Sequence, residues 1–241
     1  MIKVVLFDLD GTLLPMDLDV FTKGYFKKLA KKMLPLGYEP NKLVDSIWSG
    51  TAKMVQNDGS ITNEEAFWQE FARIYGEDAL KDRKTVEDFY REDFKTAKEY
   101  CGYNPLAKQT VELAKSLGYR VALATNPIFP REATATRVSW CDLQLEDFEL
   151  YTSYENISYC KPNPDYYREI LKRLDIDGTQ CLMVGNDVDE DMITEKLGMS
   201  VFLLTDCLIN KHGKDIGSYP QGNFEDLMEH LRCLSNNKAT E

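Results

Sequence analysis

Four short apolar runs rich in β-branched residues punctuate the chain: Ile2 to Phe7, Tyr119 to Ala124, Gln180 to Val184 and Ser200 to Leu204. Each is followed by a polar or glycine-containing turn. Continuous apolar runs of this length read as strands buried on both faces, which is how strands of a parallel sheet look. A weaker strand is expected around Phe148 to Thr152. Between the runs lie amphipathic stretches, Pro105 to Leu117 and Pro164 to Leu174, the first ending at Gly118, a suitable helix stop. Alternating strands and helices imply an α/β fold with a Rossmann-like, doubly wound parallel sheet. Such sheets bind ligands at the carboxyl ends of their strands.

The stretch from Asp17 to Tyr100 breaks the alternation, offering helix after helix without a convincing strand. It reads as an all-helical module (17–100) inserted into a core formed by residues 1–16 and 101–241. Apolar positions recur there at helical spacing, as in Phe21, Tyr25, Phe26, Leu29 and Met33, or Phe67, Phe71, Ile74 and Tyr75. These stripes are expected to be packing faces rather than cofactor sites. Ser49-Gly50-Thr51 is expected to interrupt a helix, and the polar tail 235–241 to fray.

Composition narrows the function classes. In 241 residues, 43% hydrophobic and 29% charged, nothing suggests disorder or low complexity. The formal net charge of -11 opposes approach to a nucleic-acid backbone or an anionic membrane surface. The only obvious basic cluster, Lys27, Lys28, Lys31 and Lys32, falls on the solvated side of an amphipathic helix pattern. Six cysteines without a C-x-x-C pair, and two histidines, argue against structural zinc. The amino terminus is too short in apolar residues and wrongly flanked for a signal peptide or membrane span, so a cytoplasmic protein with reduced thiols is expected.

The chemistry-bearing residues fall at the ends of the predicted strands. The first strand runs into Asp8-Leu9-Asp10-Gly11-Thr12, and period-two geometry aims Asp8 and Asp10 the same way. Two carboxylates this close ionise together only beside a cation, and a hard, oxygen-ligand dication such as magnesium suits them. With its charge compensated, Asp8 can attack phosphorus, while Asp10 can protonate the leaving oxygen and then activate water. A pair of aspartates capping a turn is the plainer alternative. The second strand ends in Thr125-Asn126-Pro127, a hydroxyl and an amide suited to a phosphate oxygen, although turn chemistry explains them as well. Lys161, ahead of Pro162, supplies local positive charge, or else is a surface lysine. The run Gly185-Asn186-Asp187-Val188-Asp189-Glu190-Asp191 opens a predicted helix leading to Gly198. Acidic residues favour a helix N-terminus, but this many at one strand tip also call for a cation.

Taken in order, these segments resemble the motifs of the haloacid dehalogenase superfamily, mostly phosphatases with a Rossmann-like core. The matching elements are D-x-D-G-T at Asp8 to Thr12, the hydroxyl at Thr125, the lysine at Lys161 and the acidic motif at Gly185 to Asp191. The resemblance implies that Asp8 is the nucleophile and Asp10 the general acid/base, with the Asp8 carboxylate and the Asp10 backbone carbonyl on Mg2+. It implies that Thr125 and Lys161 hold the transferring phosphoryl group, with Asn126 beside them, and that Asp191 orients metal-bound water. Where the family shows Gly-Asp, this chain has Gly185-Asn186 followed by Asp187. The third protein ligand is therefore Asn186 or Asp187, and the carboxylate is the better partner for a hard dication. An insertion between the first two motifs resembles the subclass with a helical cap over the active site, which implies a small soluble phosphomonoester, a phosphorylated metabolite, as substrate. A sugar-phosphate mutase and a non-catalytic binding or regulatory module are the alternatives. A dehalogenase, which attacks carbon, has no need of the acid at Asp10.

Overall fold

A computed structural model describes residues 1–238. Its centre is a six-stranded sheet in the order β3-β2-β1-β4-β5-β6, with every neighbouring pair parallel. The strands are β1 (Val4–Phe7), β2 (Arg120–Leu123), β3 (Leu150–Tyr151), β4 (Cys181–Gly185), β5 (Ser200–Leu204) and β6 (Gln221–Gly222). All five expected strands are present, trimmed by a residue or two at most ends. The two-residue β6 carries no apolar run and went unforeseen. Within β1, Val5 and Phe7 enter one apolar cluster and Val4 and Leu6 the other, so both faces of the sheet are covered. Strand order reverses between β1 and β4, which makes the carboxyl edge there the place where a ligand crevice opens.

Among the described residues eight α-helices accompany the sheet: α1 (Leu18–Met33), α2 (Pro40–Val55), α3 (Asn63–Tyr75), α4 (Arg83–Arg91), α5 (Pro105–Ser116), α6 (Arg131–Ser139), α7 (Pro164–Leu174) and α8 (Phe224–Lys238). Their starts follow local chemistry. Asp17 accepts from the backbone of Asp19 and Val20, Thr62 and Glu65 form a reciprocal capping box, and Asn163 caps α7 ahead of Pro164.

From Leu18 to Tyr100 the chain contains only helices α1 to α4 and short 3-10 turns. The entry and exit of this segment are tied together, since Met16 bridges Cys101 in antiparallel fashion and Gly102 N–H donates to Pro15 O at 2.7 Å. The apolar cluster on this side is continuous with the core. Phe21 and Phe94 both pack on Trp140, with ring centroids 6.4 and 5.7 Å away.

Three local expectations are corrected. Helix α2 runs unbroken through Ser49-Gly50-Thr51. Gly50 is there for packing, because a Cβ would meet the Phe67 ring of α3 at 2.5 Å. Residues 235–238, expected to fray, continue α8, anchored by buried Leu231 and partly buried Leu234; the remainder of the expected frayed tail, 239–241, lies outside the described residues. After the acidic run the chain forms a 3-10 helix, Met192–Leu197, rather than an α-helix. Lys27 and Lys31 are exposed as expected, while Lys28 and Lys32 pair with Glu99 and Asp93. Among the described residues no helix is long and apolar enough to cross a membrane.

Candidate active site

The strand tips bring the predicted residues together around one cavity of ≈ 950 Å³, lined by Asp8, Asp10, Thr125, Asn126, Lys161, Asn186, Asp187 and Asp191 together with residues of α1 to α4. Asp8 follows β1 directly, and its N–H donates to Val184 O of β4 at 2.9 Å, so sheet pairing fixes its place. Lys161, only 2% exposed, donates to Asp8 Oδ1 at 2.8 Å and to Asp191 Oδ1 at 2.6 Å. Burial alone would pull the lysine's pKa down, but the Asp191 and Asp8 charges hold it well above the ordinary value. Asp191, fully enclosed, is pushed up by burial against the opposing pull of Lys161. Tyr167 of α7, also buried, reaches the same Asp191 oxygen at 3.4 Å.

Asp8 and Asp10 do not share a partner. The strand stops at Phe7, so period-two geometry ends there, and Asp10 lies in a turn bridged to Leu14. Its carboxylate pairs with Arg137 of α6, a side chain with 0% exposure. Burial raises the pKa of Asp10 and the Arg137 charge opposes the rise, while the Asp8 charge adds to it. Arg137 also donates to Ala133 O and to Thr134 Oγ1, and its guanidinium sits 4.3 Å from the Phe129 ring centroid.

Arg137 was missed from sequence. The signal available was its place in the buried stripe Ala133, Thr134, Arg137, Val138, where an arginine must have a partner. Tyr167 was missed because it lies inside an unremarkable local pattern, and Thr12, quoted as the end of the D-x-D-G-T motif, was given no role of its own.

The two candidates for the third ligand differ in what already holds them. Asn186 Oδ1 accepts from Thr12 Oγ1 at 2.9 Å and its Nδ2 donates to Cys207 O at 2.7 Å. Its amide also packs against Gly11, whose positive φ of 82° and lack of Cβ the contact requires. Asp187 uses Oδ1 to cap the backbone of Asp189 and Glu190 at 2.7 and 3.0 Å, and its other oxygen has no hydrogen-bond partner among the described residues. The second oxygen of Asp8 is likewise without one. Three further atoms at this edge, Asp10 Oδ1, Thr125 Oγ1 and Asn126 Oδ1, are buried with no partner. Buried polar atoms are normally satisfied, so this group marks a place that a polar ligand completes. No three His, Cys, Asp or Glu side chains among the described residues gather closely enough to cage a metal by themselves. The donor set fits magnesium all the same, since that ion is commonly held by one or two carboxylates with water and substrate phosphate completing its shell.

A parallel, doubly wound sheet with paired acids and a buried lysine at its switch point defines a Rossmann-like enzyme of the kind that works on anionic esters. A family model for haloacid dehalogenase-like hydrolases matches residues 2–194, and the chain belongs to that family. It is 26% identical over 204 residues to a phosphoglycolate phosphatase of Nitrosospira multiformis, covering 83% of this chain and 82% of that protein. It is 24% identical over 204 residues to a glyceraldehyde 3-phosphate phosphatase of Pyrococcus abyssi, covering 81% and 78%. Among solved structures, a 2-haloacid dehalogenase from Pseudomonas syringae superposes with a TM-score of 0.60 at 20% identity, covering 97% of this chain and 100% of that one. The last likeness concerns the fold alone.

Proposed function

We propose that this chain is a magnesium-dependent phosphatase that hydrolyses a phosphomonoester through an aspartyl-phosphate on Asp8, with the helical segment 17–100 acting as a cap over the site. The observation that carries the reading is the buried Lys161, held 2.8 Å from Asp8 and 2.6 Å from Asp191, in the cavity that the unpartnered Thr125 hydroxyl also lines. Phosphatase names among the curated relatives support it.

In this reading an Asp8 carboxylate oxygen attacks phosphorus in line, and the ester P–O bond breaks with its electron pair going to the departing oxygen. Asp10, its carboxyl proton favoured by burial, delivers that proton to the leaving alkoxide. Water then attacks the acyl phosphate, Asp10 takes a proton from it, and the bond to Asp8 breaks to release inorganic phosphate. Thr125 and Lys161 donate to the non-bridging oxygens, where fixed donors act most strongly, and Asn126, whose Nδ2 donates to Glu190 Oε2 at 3.3 Å, stands beside them. Asp191 and Tyr167 keep the lysine aimed. Asp8, Asp187 and the Asp10 backbone carbonyl would hold magnesium, which would supply positive charge to offset the negative charge of the phosphoryl group. Asn186, tied to Thr12 and Cys207, supports the turn beside Gly11.

Phosphate release from 4-nitrophenyl phosphate, with and without chelator, tests the proposal. Turnover that needs magnesium and vanishes in folded Asp8→Asn supports it. Substantial turnover by that variant would overturn the nucleophile.

A further inference from the structure

The cavity is far larger than a phosphoryl group needs, and its character changes sharply away from the strand tips. At one end stand the acids and Lys161; the remainder is walled by apolar and aromatic side chains of α1 to α4 and of the loop after β2, among them Phe26, Ile47, Trp48, Phe67 and Phe129. Cavities that bury a drug-sized ligand span about 300–1000 Å³, and this one, at ≈ 950 Å³, lies at the upper end.

Charge points the same way. The lining holds seven carboxylates, from Asp8, Asp10, Asp17, Asp19, Asp187, Glu190 and Asp191, against three lysines, Lys23, Lys161 and Lys211. Lys161 is already shared between two aspartates, and Lys23 and Lys211 are exposed. Among the described residues no arginine or histidine lines the cavity. A substrate with a second anionic group, such as a carboxylate, would find repulsion there, and the buried cations nearby, Lys161 and Arg137, are already paired with aspartates. Trp48 is 51% exposed and packs edge-on against Phe26 at 5.5 Å between centroids, which leaves indole surface available to a ligand.

We propose, on the footing of the phosphatase reading above, that the substrate is the phosphate monoester of a bulky, uncharged, apolar alcohol or phenol, its single phosphate at the strand tips and its body among the aromatic side chains of the helical segment. Two-carbon and three-carbon acid phosphates are not its substrates of choice.

The test is a homologous series of n-alkyl phosphates from ethyl to decyl, set beside 2-phosphoglycolate and assayed for phosphate release by the magnesium-loaded enzyme. Burial of each added methylene should raise kcat/KM by up to about fourfold until the cavity is filled. The longer esters should exceed 2-phosphoglycolate by at least two orders of magnitude, and Trp48→Ala should flatten the rise. A profile that is level or falls with chain length, or a preference for 2-phosphoglycolate, overturns the inference. Titration calorimetry with the matching n-alkylphosphonates needs no turnover and separates the two readings. If no ester releases phosphate, the phosphatase reading fails, while phosphonate affinity that climbs with chain length still upholds the apolar pocket and affinity that stays level removes it.

Discussion

Replacing Arg137 by Met tests how the acid of the site is held. The guanidinium is wholly buried and paired with Asp10, so its loss leaves a recessed carboxylate without its cation. Breaking a buried ion pair by removing one partner costs about 3–5 kcal/mol. The Asp10 side chain retains 18% exposure, which places the pair toward the lower end of that range. Loss of the stacking on Phe129 adds about 1 kcal/mol, and the methionine recovers part of the packing. A net loss of about 3 kcal/mol is expected, within the stability of roughly 5–15 kcal/mol that a domain commonly has, so the variant should still fold. Urea unfolding in the presence of chelator measures it. The sign with pH follows from linkage. Burial already sets the folded pKa of Asp10 above its unfolded value, and deleting Arg137 raises it further. The folded state then binds the extra proton, so the variant's stability falls as pH rises from about 4 through that raised pKa, and its deficit is larger at about pH 8 than at about pH 4.5. Combining Arg137→Met with Asp10→Asn should cost less than the two single changes added together. A loss below about 1 kcal/mol, or a deficit that shrinks toward alkaline pH, would refute the reasoning.

Millimolar magnesium should raise the Tm of the native protein through preferential binding to the folded state, and Asp187→Asn should abolish the increase, as differential scanning fluorimetry would show. Gly50→Ala should destabilise by about 1–3 kcal/mol, because the new methyl must displace the Phe67 ring; an unchanged Tm would mean the ring yields freely. Glu70, buried, is held down at a pKa of about 2 by bonds from Arg73 and Ser49. Its contribution to stability is therefore complete above the unfolded glutamate value and lost as pH falls through that value toward about 2, so the deficit of Glu70→Gln in denaturant titrations should narrow over this acid range.

The sheet was legible because a parallel strand buried on both faces is apolar through its interior, and four segments of the chain carry such runs, with Arg120 and Ser200 standing only at strand starts. Legibility failed where an element has too few residues to carry a pattern, as at Gln221–Gly222, or where a residue answers to a distant neighbour. Gly50 reads locally as a helix breaker, yet the reason for it is Phe67, seventeen positions on. Arg137 reads as one more charge on a polar helix, and only the fold reveals Asp10 as its partner, |i−j| = 127.

This division has a physical origin that bears on the site itself. Residues at strand tips are placed by the apolar runs before them, so Asp8, Thr125, Asn126, Asn186 and Asp187 could be gathered at one edge from local pattern alone. The groups that set their charge state come from helices, whose pattern says which face is buried but not what that face meets. Lys161 was found because a cation before a proline falls where the motifs of the family place a lysine. Arg137, with an equal claim on an active-site carboxylate, had no such mark. A motif therefore identifies the acids of a site like this one more readily than the cations beside them, and in the proposed mechanism the difference between Asp8 beside Lys161 and Asp10 beside Arg137 is where nucleophile and proton donor would part ways.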